Sequence, residues 1–179
     1  MASPPPRYAV RKLRPSDDRK AFTSGNVELD RFFWLYAGQN QFRHHLGTTY
    51  VAVDEAERVI GFVTVTASEI APESLATRTK KLPRYPMPVL RLARLAVDAR
   101  LKGAGGVGRM LLRAVFDLAR TMADDFGCVG VVVDAKPESV AFYEKLGFEA
   151  LATVGGELGD RPVPRPMFLE LGALPKRDR

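Results

Sequence analysis

The sequence predicts one α/β domain in which a mixed β-sheet carries helices on both faces. Three observations predict it: β-rich runs alternate with amphipathic segments, no internal repeat is visible, and 46% of the 179 residues are hydrophobic. A chain of this length and apolar content can bury a core that folds without disulfides or structural metals. The domain is expected to span residues 1–179, with frayed ends at 1–6 and 175–179.

The first half of the chain predicts a strand, a helix and a hairpin. Apolar residues recur at near-helical spacing after Asn26, which is expected to be the N-cap of the helix. Two β-rich runs flank a short charged segment, a pattern typical of an antiparallel hairpin. The expected elements are a strand at residues 8–13, a helix at 27–43, hairpin strands at 48–53 and 59–67, and a polar segment at 69–88.

The next strand, expected at residues 89–98, has an irregular apolar pattern. Leu90 and Leu92 share one face by alternation, whereas Leu95 and Val97 share the other. A β-bulge between Leu92 and Leu95 would switch the face and part the neighbouring strands, which opens a slot for a ligand. A strand buried on both faces would show the same pattern without a bulge.

The second half of the chain contains the clearest helical pattern. Apolar residues recur at helical spacing from Val107 to Met122, and Gly127 is expected to end this helix. Pro137 near the start and Gly147 just past the end delimit a second, short helix. The remaining expected elements are a buried strand at 129–134, the short helix at 137–146, and closing strands at 148–154 and 167–171. This order of elements implies the mixed sheet.

Charge is distributed unevenly along the chain. Lys and Arg outnumber Asp and Glu by 27 to 21, a net charge of +6 that favours anionic partners. Between residues 78 and 109 the acidic residue is Asp98, and the basic residues are Arg78, Lys80, Lys81, Arg84, Arg91, Arg94, Arg100, Lys102 and Arg109. On its own such a run indicates an ordinary solvated face. The glycine-rich loop inside it makes an anion-binding surface the alternative.

The cysteine and histidine content indicates no metal site. Cys128 is the one cysteine, so it cannot form an intramolecular disulfide and is expected to be a small core residue. His44 and His45 are adjacent, with no carboxylate at ligand spacing, and are expected at a surface helix end. The N-terminal region lacks an uninterrupted apolar stretch, so neither a signal peptide nor a membrane span is expected. We expect a cytoplasmic protein without a metal cofactor.

The segment from Leu95 to Leu112 runs from a strand through a glycine-rich turn into the amphipathic helix. Glycines permit positive φ and a close approach of the backbone, and the unpaired N–H groups at a helix start attract anions. The combination predicts a diphosphate site. It is not a P-loop, because no Gly-Lys-Ser or Gly-Lys-Thr follows, and the early βαβ unit of a dinucleotide-binding fold is missing.

This segment resembles the acetyl-CoA motif of the GNAT acetyltransferases, in which Gln or Arg, two residues, Gly, one residue and Gly follow the fourth strand. The resemblance implies the GNAT fold, a mixed and mostly antiparallel sheet of about six to seven strands. Arg100, Gly103 and Gly105 fit the formula literally, whereas an alignment on Gly103, Gly106 and Gly108 fits the following Leu111-Leu112 better. The residues implied to hold the cosubstrate acetyl-CoA are Leu95, Ala96, Val97, Arg100, Lys102, Gly103, Gly105, Gly106, Val107, Gly108 and Arg109.

A second family element lies further along the chain. After Asp134-Ala135-Lys136, the run from Phe142 to Phe148 is similar to the FYEKxGF signature of the last GNAT helix. In the family the hydroxyl group at the position of Tyr143 points at the CoA sulfur, which implies that Tyr143 is the catalytic residue. The alternative is an aromatic residue that only packs this helix on the sheet.

A narrower resemblance covers most of the chain. The residues that carry it are Phe22, Gly25, Leu29-Asp30, Thr48, the strand at 59–66, Pro83 to Pro86, Arg94 to Asp98 and Val133 to Lys136. They are similar to the GNAT toxins of bacterial type II toxin–antitoxin pairs. The chain departs from these toxins at Thr23-Ser24, in its longer glycine loop and in its extended segment 155–166.

The toxin resemblance implies a substrate and partners. Such enzymes acetylate the α-amino group of the amino acid on charged tRNA and so block translation. Their usual partner is a ribbon-helix-helix antitoxin, and homodimers are common. The basic residues implied to contact the tRNA phosphates are Arg78, Lys80, Lys81 and Arg84.

The expected mechanism is direct transfer in a ternary complex. The amine attacks the thioester carbon, a strand N–H near Val97 stabilises the oxyanion, and Tyr143 protonates the leaving thiolate. An α-amino group has a pKa of about 7.7 to 8.0, so no strong general base is required, although Glu69 or a backbone carbonyl could serve. The alternatives are a GNAT enzyme acting on a small amine or a protein N-terminus, and a non-catalytic CoA-binding or DNA-binding regulatory module.

Overall fold

The computed structural model describes residues 2–75, 83–103, 105–151 and 165–176. Within these residues the strands are β1 (Ala9–Lys12), β2 (Thr48–Val53), β3 (Val59–Ile70), β4 (Met87–Val97), β5 (Gly130–Ala135), β6 (Glu149–Ala150) and β7 (Arg165–Glu170). They form one sheet in the order β1-β2-β3-β4-β5-β7-β6. The β4–β5 pair is parallel, and the β1–β2, β2–β3, β5–β7 and β6–β7 pairs are antiparallel. The predicted mixed, mostly antiparallel sheet is confirmed.

The described helices are α1 (Val27–Leu35), α2 (Ala37–Phe42), α3 (Val107–Asp125) and α4 (Val140–Lys145). The side chain of Asn26 accepts a hydrogen bond from the N–H of Leu29 at 3.1 Å, so the predicted N-cap is confirmed. The prediction of one helix over residues 27–43 is wrong, because the helix is interrupted at Tyr36, which separates α1 from α2. On α2, the Gln41 side chain donates to the Leu13 carbonyl and accepts from the Thr49 N–H.

Backbone contacts divide the chain into two compact units. The first unit comprises residues 1–66 and 93–115, and the second comprises residues 67–92 and 116–179. Strands β3 and β4 each contribute residues to both units. The single domain over residues 1–179 stays a prediction.

In the first unit the core forms between α1 and the β2–β3 hairpin. Phe33 stacks on Phe62 with ring centroids 4.4 Å apart, and Phe22 meets both rings edge-on. Gly61 of β3 allows α3 to approach closely, because a Cβ there would lie 2.9 Å from Val107 Cγ1 and 3.1 Å from Leu111 Cδ1. This contact fixes the first turn of α3 against the sheet.

In the second unit the core gathers the amino-terminal half of β4 with β5 and β7. It contains Val89, Val132 and Phe168, all almost completely buried. Gly127 and Gly147 adopt positive φ of 107° and 94° after α3 and α4, as predicted for helix ends. The described part of the predicted strand at 148–154 forms β6, and residues 152–154 lie outside the described residues.

Several smaller predictions are also decided. Cys128 is buried, and its thiol donates to the Gly130 carbonyl at 3.2 Å. His44 and His45 are exposed just after α2. The β4–β5 register recorded for Leu90 to Leu92 does not reach the predicted β-bulge, which stays a prediction. None of the helices in the described part of the chain is long and apolar enough to cross a membrane.

Candidate active site

The turn between β4 and α3 begins with a buried carboxylate. Asp98 is 2% exposed, and its Oδ1 accepts the N–H of Arg100 at 2.9 Å, which caps a short 3₁₀ turn over Ala99–Leu101. The Arg100 guanidinium donates to both Asp98 oxygens, at 3.1 and 3.0 Å. These hydrogen bonds hold the pKa of the Asp98 carboxyl below its usual value. The turn therefore starts from an ionised, fixed anchor.

Glycines shape the rest of this turn, which we call the glycine turn (residues 98–108; Ala104 lies outside the described residues). Gly103, Gly105 and Gly106 have φ of 74°, 79° and 65°, a region that side chains disfavour. The first intrahelical bond of α3 runs from the Met110 N–H to the Gly106 carbonyl. The N–H groups of residues 107–109 therefore precede the helical bonding pattern and are free to bind an anion.

The space over the glycine turn suits a diphosphate. A Cβ built on Gly103 or Gly106 would meet no atom within 4 Å, so both positions face open space. A Cβ on Gly105 would lie 3.5 Å from the ring of Tyr8, which places that ring beside the turn. Anions bind well where several N–H groups converge at a helix start with no side chain in the way. The glycine turn thus has the form of an anion-binding site.

The remaining predicted cofactor-binding residues surround this turn. Lys102 and Arg109 are exposed, while Val107 is buried and packs α3 on the sheet. Arg100 is exposed, but its guanidinium is already bonded to Asp98. In β4, Ala96 is buried in the core of the first unit, whereas Leu95 and Val97 are partly buried. The structure places these residues in and around one turn, and their binding to acetyl-CoA stays a prediction.

An anchor for the glycine turn was missed by the sequence reasoning. Asp30 of α1 is 4% exposed and accepts hydrogen bonds from the Ser24 N–H, the Ser24 hydroxyl and the Thr23 hydroxyl. The Thr23 carbonyl in turn accepts the N–H of Ala99, at 3.0 Å. Asp30 thus fixes a segment that holds the start of the glycine turn. The Leu29-Asp30 pair was visible in the sequence, but nothing there showed which groups it would bind.

Tyr143 lies in the second unit, on α4. Its side chain is 5% exposed, and its ring contacts Phe142 and Phe148 edge-on, with centroids 5.2 and 5.3 Å away. Burial raises the pKa of Tyr143 to about 12, because the phenolate would lose hydration. Among the described residues, every side-chain oxygen or nitrogen that is fully buried has a hydrogen-bond partner. The Tyr143 hydroxyl has no hydrogen bond to a described residue, so its oxygen is not fully buried and remains accessible. It is a protonated group available as a donor.

The predicted tRNA-contacting residues are only partly described. Arg84 is exposed, and Arg78, Lys80 and Lys81 lie outside the described residues. Within the same basic stretch, Arg91 donates to Asp134 at 2.7 Å. Part of the positive charge is therefore already neutralised within the second unit.

Comparison with known proteins decides the family. The sequence model of the acetyltransferase (GNAT) domain matches residues 45–150, more than half of the chain. The chain belongs to the GNAT acetyltransferases. This match covers the glycine turn and α4, the two elements that the sequence reasoning had assigned to the GNAT pattern.

Several proteins similar to this chain are described as toxins. A tRNA-acetylating toxin of Mycobacterium tuberculosis (strain ATCC 25618 / H37Rv) is 31% identical over 146 residues, which cover 81% of this chain and 86% of the toxin. The structure of AtaT complexed with acetyl-methionyl-tRNAfMet superposes with a TM-score of 0.82 at 21% identity, over 93% of this chain and 96% of that one. The structure of a tyrosine-to-phenylalanine mutant of AtaT, bound to acetyl-CoA and the C-terminus of the antitoxin AtaR, superposes with a TM-score of 0.73 at 21% identity. The match covers 93% of this chain and 94% of that one.

Proposed function

We propose that this GNAT enzyme transfers the acetyl group of acetyl-CoA to the α-amino group of aminoacyl-tRNA and so acts as a translation-blocking toxin. The observation that carries the acetyl-CoA assignment is the glycine turn, with three glycines at positive φ before the free N–H groups of α3. The aminoacyl-tRNA acceptor is supported by the tRNA-acetylating toxin, to which the chain is 31% identical along most of its length.

In the proposed binding mode the main chain holds the cosubstrate. The N–H groups of residues 107–109 bind the diphosphate, and the open positions of Gly103 and Gly106 let it approach the backbone. This arrangement favours the alignment on Gly103, Gly106 and Gly108, because Gly106 is the residue whose carbonyl starts the helix. The exposed side chains of Lys102 and Arg109 would add positive charge around the phosphates.

In the proposed chemical step two groups of the chain act on the reacting atoms. The amine nitrogen forms a bond to the thioester carbon, the carbon–sulfur bond breaks, and Tyr143 gives its proton to the departing sulfur. The N–H of Val97 donates to the oxyanion while charge develops there. An α-amino group has a pKa of about 7.7 to 8.0, so much of it is already neutral and able to attack. After the attack the nitrogen loses its extra proton to water, and Tyr143, left as a phenolate, takes a proton back from water.

The proposed partners follow from the toxin relatives. We propose a small ribbon-helix-helix antitoxin as the protein partner, in line with the AtaT structure that contains the C-terminus of the antitoxin AtaR. A homodimer and a cytoplasmic location remain predictions.

The function is tested by transfer of labelled acetyl groups. Purified protein is incubated with labelled acetyl-CoA and charged tRNA, deacylated tRNA, a polyamine or a peptide with a free N-terminus. We expect label on charged tRNA alone, at a rate that falls as salt rises, because phosphate contacts are screened. Label on the polyamine or the peptide, with none on charged tRNA, would show that the enzyme acts on another amine. A protein that binds acetyl-CoA without any turnover would be a regulatory module instead.

A further inference from the structure

The first unit contains a cavity that the proposed chemistry does not yet use. It has a volume of about 160 Å³ and lies between helices α1 and α2 and strands β2, β3 and β4. Its polar lining consists of Asn40, Thr49, Thr64, Thr66 and Arg94. None of the described residues that line it carries a carboxylate. The cavity is therefore positively charged and rich in hydrogen-bond donors.

Arg94 is the charged group of this cavity. Its guanidinium carbon lies 3.8 Å from the centre of the Phe32 ring, so one flat face of the guanidinium is covered. Stacking leaves the N–H edge free, and no described residue accepts a hydrogen bond from it. Burial lowers the pKa of Arg94, yet a guanidinium remains charged at neutral pH. A partly desolvated cation without a counter-ion attracts an anion more strongly than a solvated one.

Two further groups can donate hydrogen bonds beside Arg94. The side-chain amide of Asn40 has no partner within the described part of the chain. Thr49 and Thr64 share one hydrogen bond, with their hydroxyl oxygens 2.7 Å apart. Only one hydroxyl proton can lie between the two oxygens, so the other is available. Guanidinium, amide and hydroxyl donors together suit the oxygen atoms of a phosphate.

The distance from Arg94 to the proposed reaction centre indicates which phosphate of the tRNA would reach the cavity. Arg94 precedes Val97 by three residues on β4, a distance of about 10 Å along an extended strand. On a charged tRNA, about eight covalent bonds join the α-nitrogen to the phosphorus of the last phosphodiester, a reach of about 10 Å at most. The same phosphodiester is present whichever amino acid is attached.

We propose that this cavity binds the last phosphodiester of the charged tRNA through the guanidinium of Arg94. The inference rests on the proposed function and adds to it a contact that positions the terminal nucleotide for acetylation. An acidic side chain of the attached amino acid is the competing occupant. It fits less well, because it would be absent from most charged tRNAs and would leave the half-buried Arg94 without a partner.

The test pairs a change in the substrate with a change in the protein. One tRNA carries its normal last phosphodiester, and a second carries an uncharged methylphosphonate there; both are charged by an aminoacylating ribozyme. The proteins are the unchanged chain, Arg94→Gln, Arg94→Lys and, as a control, Arg31→Gln, which removes an exposed charge from α1. Melting temperatures are measured for all four, and kcat and KM are measured for each pair.

For the unchanged protein and Arg31→Gln, we expect the methylphosphonate to raise KM about tenfold with little change in kcat. Arg94→Gln should show the raised KM with both tRNAs and no longer distinguish them. Arg94→Lys keeps the positive charge but lacks the planar N–H donors of a guanidinium, so it should retain part of the KM difference between the two tRNAs.

Other outcomes overturn the inference. If Arg94→Gln still distinguishes the two tRNAs fully, or if the unchanged protein does not distinguish them, the phosphodiester lies elsewhere. If Arg94→Gln instead removes a preference for glutamyl-tRNA over glutaminyl-tRNA, the cavity holds the amino-acid side chain. In all these cases charged tRNA is still acetylated and the proposed function stands. If normal charged tRNA accepts no acetyl group, the function and the inference both fail.

Discussion

The glycine turn and the helix that carries Tyr143 offer opposite kinds of chemistry. In the glycine turn the groups proposed to act are backbone N–H groups, and Gly103 and Gly106 beside them face open space. On α4 the group proposed to act is one side chain, Tyr143, which is 5% exposed and flanked by two aromatic rings. The first region depends on the shape of the main chain, and the second depends on the surroundings of a single hydroxyl.

This difference teaches how each region can be damaged. A backbone site is insensitive to the loss of nearby side chains but sensitive to any atom added on a glycine. A buried hydroxyl is sensitive to the loss of one oxygen atom. Burial disfavours the phenolate, so the pKa of Tyr143 rises to about 12 and the hydroxyl keeps its proton at neutral pH. Substitutions in the two regions should therefore alter different kinetic constants.

The largest effect is expected from Tyr143→Phe. It keeps the ring contacts with Phe142 and Phe148 but removes the proton donor. We expect kcat to fall by about 10² to 10⁴, while the KM for acetyl-CoA and the melting temperature stay nearly unchanged. Steady-state kinetics beside thermal melting check this result.

Tyr50→Phe is the matched control, because it makes the same chemical change in β2, outside the proposed site. It should leave kcat near that of the unchanged protein. A Tyr143→Phe protein with normal kcat and reduced stability would show that Tyr143 only packs α4. The thiolate would then leave without help or take its proton from water.

A smaller effect, on binding, is expected from Gly106→Asp. The substitution forces a side chain into positive φ and places a negative charge against the diphosphate. We expect acetyl-CoA to bind about a hundredfold more weakly and its stabilisation of the protein against heat to disappear. Titration calorimetry measures the affinity. Gly172→Asp adds the same charge in open space in the second unit and should bind acetyl-CoA normally.

The smallest effect is expected from Gly106→Ala. Its methyl group meets no protein atom within 4 Å, so its penalties are the strain of positive φ and the space that the methyl takes from the diphosphate, without any added charge. A strain of about 1 to 2 kcal/mol corresponds to a fivefold to thirtyfold loss of affinity at most. If alanine weakened binding as much as aspartate, the added negative charge would contribute nothing, and the diphosphate would not lie against Gly106.

Most of the fold was predictable because its patterns are local. The period of α3 and the alternation of the β2–β3 hairpin are determined by neighbouring residues, and both elements appear where expected. The interruption at Tyr36 was not predictable from spacing, and the bonds that hold α2 join Gln41 to Leu13 and Thr49, the first of them 28 residues away in sequence. The helical spacing of apolar residues over 27–43 does not indicate such contacts.

The candidate site likewise has features that the sequence predicted and features that it did not. Glycine spacing before a helix predicted the glycine turn, because only glycine readily adopts positive φ. The role of Asp30 and the free edge of Arg94 were not predictable, since each depends on which side chains the fold brings near. For Tyr143, the sequence suggested the residue, and the structure adds its burial and raised pKa.

The central claim is that the acetyl group reaches the α-nitrogen of an amino acid on tRNA. The most direct measurement is mass spectrometry of the aminoacyl-adenosine that nuclease digestion releases after reaction with acetyl-CoA. We predict one added acetyl group on the α-nitrogen in charged samples and unmodified adenosine in deacylated ones. An acetyl group found on a lysine side chain of the attached amino acid, on a ribose hydroxyl, or nowhere on the RNA would contradict the account.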